Sequence, residues 1–230
     1  MNAPPAIALT CGDPSGVGPE LAIAARLALG RDLPFFWVGD PRHLPQGTRF
    51  CEIATPAKAG LVPGDQLAVL HHAFAAEARP GTPDPRNAAG VIAVIERAVA
   101  LVQSGQAAGI CTAPINKKAL KDGAGFAFPG HTEFLAHLAG VDHVVMMLAC
   151  ASLRVVPVTI HIALAEVASA LTASLLESSI RITQTGLQRD FGVANPRLAV
   201  AGLNPHAGEG GAMGREEIDM IAPVLNRLRA

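Results

Sequence analysis

Gly202-Leu-Asn-Pro-His-Ala-Gly-Glu-Gly-Gly-Ala-Met-Gly-Arg-Glu-Glu217 is the stretch whose reading decides the fold. An apolar run before it, Leu198 to Leu203, predicts a buried strand, and the apolar spacing of Glu216 to Leu228 after it predicts a helix. A connection that only turns needs about two to six residues and one glycine. This one is longer and carries Gly208, Gly210, Gly211 and Gly214 beside a histidine, a carboxylate and an asparagine. Glycine lets backbone approach a ligand where a side chain would block it. The stretch therefore predicts a ligand-cradling loop from strand to helix, with His206 as its reactive group; the alternative is a flexible surface loop.

The same alternation of strand, glycine- or histidine-bearing turn and helix recurs upstream. Ile7 to Cys11 predicts a short buried strand, followed by Gly12-Asp-Pro-Ser-Gly-Val-Gly-Pro-Glu20 and a helix over Leu21 to Leu29, closed by Gly30. Pro19 and Glu20 suit a first helical turn. The glycines do not make a Rossmann fingerprint, because Leu21 stands where the third glycine belongs, and no Lys-Ser/Thr pair makes a P-loop. Two readings stay open for this corner, an anion site at a helix start or a tight turn packing helix on strand. Phe35 to Val38 and Gln66 to Leu70 predict further strands. Asn87 to Gln103 has the helical period, with Val91, Val94, Ile95, Ala98 and Val102 on one stripe.

Gly109 to Thr112 predicts a strand that runs into Ala113-Pro-Ile-Asn-Lys-Lys118, where Lys117 is either an anion ligand or, the reading favoured here, a surface charge. In Phe128-Pro-Gly-His-Thr-Glu-Phe134, Thr132 suits an N-cap and leaves the His131 imidazole free to point outward. Val144 to Cys150 and Arg154 to His161 predict strands, Leu164 to Leu171 a helix, and Ser174 to Phe191 a second helix opened by a Ser174–Glu177 capping box. Together the pattern predicts an α/β fold with a largely parallel sheet. In such sheets ligands bind at the carboxyl ends of strands, where His161 and His206 fall. Two imidazoles brought together there suit a transition-metal or zinc centre, whose third protein ligand is not evident in the chain.

Composition narrows the class. With 230 residues, 50% hydrophobic and 16% charged, the chain can bury one large core or two modest ones. A net charge of −1, no basic block, one Trp and no Tyr argue against a nucleic-acid surface. The N-terminus lacks the basic region of a signal peptide, and no apolar run reaches about 18 residues, so a membrane span is not expected. Four scattered cysteines without a CxxC pair fit a reducing cytoplasm, three of them in contexts that predict burial.

These residues carry a family resemblance. Thr10-Cys-Gly-Asp-Pro-Ser-Gly-Val-Gly-Pro-Glu20, Thr112-Ala-Pro-Ile-Asn-Lys117, Pro129-Gly-His-Thr-Glu-Phe134, Val145-Met-Met-Leu-Ala149, Thr159-Ile-His161 and the Gly202 loop follow in family order. The chain resembles the 4-hydroxythreonine-4-phosphate dehydrogenase family of pyridoxal phosphate biosynthesis. The resemblance implies an isocitrate/isopropylmalate-dehydrogenase-like fold of two α/β domains with a cleft between them. The first would span residues 1–127 and the second, with the dimer surface and the metal-site histidines, residues 128–230. It implies NAD or NADP, a divalent metal (zinc, cobalt or magnesium), and a homodimer whose active site is shared between subunits. His161 and His206 would bind the metal, and His131 and Thr132 the substrate. The reaction would oxidise the C3 hydroxyl of 4-phosphohydroxy-L-threonine, and the β-keto acid would then lose carbon dioxide.

Relatives run longer, and the Tyr-His-Asp-Gln-Gly motif that carries the family's third metal histidine does not occur here. The expectation is a first domain lacking strands and a weakened metal site. Other readings are a dehydrogenase of threonate or erythronate 4-phosphate, a metal-dependent phosphate-ester hydrolase, and an inactive remnant that binds small anions. The apolar surplus of Phe128 to Ala230 predicts dimerisation through that half.

Overall fold

The computed structural model describes residues 5–29 and 32–229; the helix closure expected at Gly30 lies outside them. Two compact units divide the chain, Met1–Ala139 and Gly140–Ala230.

The first unit is built on one parallel sheet. Strands β1 (Ile7–Thr10), β2 (Phe35–Gly39), β3 (Phe50–Glu52), β4 (Leu67–His71) and β5 (Ile110–Thr112) lie in the order β3-β4-β2-β1-β5. Every neighbouring pair is parallel. Phe36, Trp37 and Val38 of β2 are wholly buried, as befits a strand covered on both faces. Helices α1 (Gly18–Leu29) and α2 (Ala88–Gln103) supply cover; the stripe Val91, Val94, Ile95 and Ala98 is buried as its period predicts. Arg26 of α1 is buried too, its guanidinium donating to the carbonyls of Val62, Pro63 and Gln66 at 2.8–3.0 Å. A charge that cannot leave the interior is here matched by carbonyl oxygens.

Helices α3 (Lys117–Ala124) and α4 (His131–Ala139) complete this unit. The division expected after Ala127 falls after Ala139 instead. The cause is a cluster of rings: Phe126 and Phe128 meet Phe134 of α4 at 5.1 and 5.0 Å between centroids. Phe134 is buried in the first core, so α4 belongs there.

The second unit departs further from the sequence pattern. Of the strand expected over Val144 to Cys150 only β6 (Leu148–Ala149) forms, paired antiparallel with β7 (Arg154–Val155). The remainder up to His161, and the expected strand Leu198 to Leu203, have no ladder partner among the described residues. Both runs line a cavity of about 760 Å³, together with Leu176 and Ile180. Extended backbone becomes a strand only when its N–H and C=O groups find a neighbour. The expected helix from Leu164 shrinks to a turn and α5 (Val167–Ala170). Helix α6 (Ala173–Arg189) starts from Thr172, whose hydroxyl accepts from the Leu175 N–H at 3.2 Å, and not from a Ser174–Glu177 box. Leu176, Ile221 and Val224 form the small core that joins α6 to a single π turn (Glu217–Ile221) and α7 (Ala222–Arg229). Among the described residues no helix is long and apolar enough to cross a membrane.

Candidate functional site

In the first unit the turn after β1 resolves toward packing. Gly12 has φ +66, and a Cβ there would stand 2.4 Å from the Pro114 carbonyl; one on Gly18 would stand 2.1 Å from that of Cys11. These glycines let two turns and a helix touch, which is the structural reading left open above.

The turn before α4 is different. The helix begins at His131, so Thr132 lies within the first turn and is not its N-cap as expected. The Nε2 atom of His131 is enclosed and makes no hydrogen bond. Burial, and then the charge of Lys117, push the imidazole below its ordinary pKa, which keeps it neutral at neutral pH. Lys117 opens α3 behind its cap Asn116, whose Oδ1 accepts from the Ala119 N–H at 3.0 Å. Its Nζ reaches toward Gly130, to 3.7 Å from where a Cβ would stand. Lys117 is exposed, as the surface-charge reading expected, with its charge close enough to act on His131.

In the second unit, the glycine loop is organised by a residue that its motif does not advertise. Glu217 Oε1 accepts from the backbone N–H groups of Leu203 at 2.8 Å and Asn204 at 3.0 Å. Asn204 in turn accepts from the His206 N–H at 2.9 Å and donates to the Met213 carbonyl at 2.9 Å. A Cβ on Gly202 or Gly208 would press to 3.1 Å from the Glu217 carboxylate. These two glycines therefore cradle the chain's own carboxylate. The available signal was an acidic side chain at the entry of the helix predicted from Glu216.

His206 leads into the turn Ala207–Gly211, exposed, with Nδ1 2.9 Å from Glu209 Oε1. His161 is exposed at a bend, with φ +58. It shares a positive φ with Ala207 and Glu209, and these are the only non-glycine residues so placed among those described. Such backbone costs about 1–3 kcal/mol per residue and gathers at functional sites. Among the described residues no three of His, Cys, Asp and Glu gather as a set able to hold a metal ion. Two imidazoles fall short of the three protein ligands a catalytic zinc takes. The cysteines are also redistributed: only Cys11 is buried, while Cys111 and Cys150 are exposed.

Against known proteins, the profile of the family described as pyridoxal phosphate biosynthetic protein PdxA matches residues 33–230. The chain is similar to the 4-hydroxythreonine-4-phosphate dehydrogenase of Paracoccus denitrificans (strain Pd 1222), at 61% identity over 97% of this chain and 69% of that protein. It is similar in structure to the enzyme of that name from Klebsiella pneumoniae, with a TM-score of 0.88 and 36% identity, covering 98% of this chain and 72% of the other. A Burkholderia phymatum structure of the same name gives a TM-score of 0.88 at 33% identity, covering 99% of this chain and 72% of that one. The fold is accordingly the isocitrate-dehydrogenase-like α/β architecture expected from the sequence.

Proposed function

The chain belongs to the PdxA family of 4-hydroxythreonine-4-phosphate dehydrogenases, an oxidoreductase family, and we propose that it oxidises 4-phosphohydroxy-L-threonine at C3. Hydride leaves C3 for the nicotinamide of NAD or NADP, and the hydroxyl proton leaves with it. The resulting β-keto acid loses carbon dioxide, on the way to pyridoxine 5'-phosphate. The observation that carries this reading is the 61% identity along nearly the whole chain.

Within that chemistry His131 and Thr132 hold the substrate. Their position at the start of α4 supports the role, since a helix start favours an anionic group. A neutral imidazole donates or accepts a hydrogen bond without competing for the proton the substrate must lose. Orientation of this kind contributes several kcal/mol to lowering a barrier, on the order of 7–11 at best. His161 and His206 are donors to a divalent ion, zinc, cobalt or magnesium, with further ligands needed from beyond the described set; a bound ion would polarise the substrate oxygen. The strained backbone at His161 and around His206 supports a functional role for both.

The second unit is the surface for a homodimer with a shared active site. Leu148, Leu153, Val155 and Leu164 are exposed there, the last at 90%. Steady-state reduction of NAD and NADP with 4-phosphohydroxy-L-threonine, threonate 4-phosphate and erythronate 4-phosphate tests the reading. Turnover highest on the first supports it. Preference for a sugar acid moves the assignment to that substrate, and binding without reduction overturns it.

A further inference from the structure

Two runs of the second unit, Val156 to Ile160 and Arg197 to Gly202, carry main-chain groups that no protein atom satisfies. Neither run forms a ladder with the other or with another strand. Among the described residues none of their N–H or C=O groups makes a hydrogen bond. Val156, Val158 and Ile160 are nevertheless partly buried. Main chain withdrawn from water in this way is normally paired, and an apolar, β-branched run pairs in a sheet.

Both runs line the cavity of about 760 Å³, and so does the buried stripe of α6, Leu176, Ser179, Thr183 and Leu187. The Thr183 hydroxyl is used within the helix, donating to the Ser179 carbonyl at 2.6 Å, but the enclosed Ser179 Oγ has no partner. A helix stripe facing two unpaired runs is the layer arrangement of an α/β unit with room left in its sheet. Arg154 and Arg197 are the charged residues of the lining, and neither forms an ion pair among the described residues. Both are exposed, as is Leu198, so the cavity opens to solvent.

We propose that this cavity receives an apolar β-strand with a carboxylate near one end, and that a separate polypeptide can supply it. The segment is the counterpart of chain that the longer relatives carry outside the matched region. This chain covers 69% of the Paracoccus denitrificans protein and 72% of the Klebsiella pneumoniae structure. The remainder of each is ample for a strand of about five or six residues. Pairing with both runs satisfies their N–H and C=O groups, the carboxylate meets the arginines, and the apolar side chains cover the α6 stripe. Strand addition of this kind draws affinity from main-chain bonds and specificity from alternate side chains.

Synthetic peptides of about twelve residues, tiled across the part of the Paracoccus denitrificans protein that this chain does not match, test the proposal when titrated into it. One apolar peptide should bind saturably and slow amide exchange at least roughly tenfold at Val158 to Ile160 and at Leu198 to Gly202. The same peptide methylated on alternate main-chain nitrogens keeps its side chains but loses the donors of one edge, so its affinity should fall at least roughly tenfold. Binding indifferent to that methylation would overturn the proposal, as would protection confined to other residues or no binding by any peptide. Protection of both runs that rises with protein concentration alone would give the cavity to a second copy and overturn it equally.

Discussion

Glu217 holds Asn204: one carboxylate oxygen accepts the Asn204 N–H at 3.0 Å and the Leu203 N–H at 2.8 Å, closing the loop that carries His206 onto the helix behind it. Those bonds, the one from Asn204 first, hold the Glu217 carboxyl below its ordinary pKa. A carboxylate so lowered contributes fully above the unfolded value, and the contribution is lost as pH falls through the lowered one. Amide exchange at Leu203 and Asn204, corrected for its intrinsic pH dependence, should therefore stay protected through the ordinary carboxylate range and open only below it. Glu217→Ala should abolish that protection at every pH. Protection unchanged in the variant would show that the loop is fixed by something else.

Ala207 carries positive φ with no glycine to ease it. Ala207→Gly should stabilise the second unit by about 0.5–1 kcal/mol in urea unfolding, because relief of left-handed strain outweighs the added freedom of the unfolded chain. A loss of stability of that size would mean the strain is absent.

Asp40 is the most constrained acid of the first unit, with its carboxylate buried at the end of β2. Burial opposes its charge, yet the Arg42 guanidinium, the Phe74 N–H and the Arg42 N–H outweigh that and keep the carboxyl well below the usual range. Asp40→Ala should cost about 2 kcal/mol, since it leaves the Phe74 N–H without its acceptor. The loss should be largest near neutral pH, shrink progressively as pH falls below the ordinary carboxylate range, and vanish only once the native carboxylate is itself protonated. Equal stability of variant and wild type at neutral pH would refute the constraint.

Thiol reactivity offers an independent check on burial. Burial pushes the Cys11 thiol up to about 12, whereas the Ser152 side chain leads the contacts that lower the exposed Cys150. Because the thiolate is the reactive form, alkylation followed by peptide mass spectrometry should find Cys150 first and Cys11 unmodified until unfolding. Early labelling of Cys11 would contradict the packing of β1 against the rest of its sheet.

The first unit was legible because its apolar runs find ladder partners within that unit. Phe35 to Val38 and Gln66 to Leu70 were read as strands and appear as β2 and β4 within a residue at each end. The second was not, because an apolar run predicts a strand without saying what it pairs with. Val156 and Val200 line the same cavity, yet neither belongs to a ladder. His131 was singled out by its place before a helix, and it stands at the first position of α4. Lys117 was read as a surface charge and is exposed, but twelve residues of intervening chain hide its approach to Gly130 from any local pattern. Glu217 was missed for a related reason: the glycines it needs looked like room for a ligand.

The most direct test of dehydrogenase chemistry measures reduced nicotinamide and released carbon dioxide together, with 4-phosphohydroxy-L-threonine as substrate and each of NAD and NADP supplied. Reduction accompanied by carbon dioxide in about equal amounts, and abolished by His131→Ala with the fold intact, is the expected result. Release of inorganic phosphate from the same substrate without any reduced nicotinamide would contradict it and assign the site to ester hydrolysis.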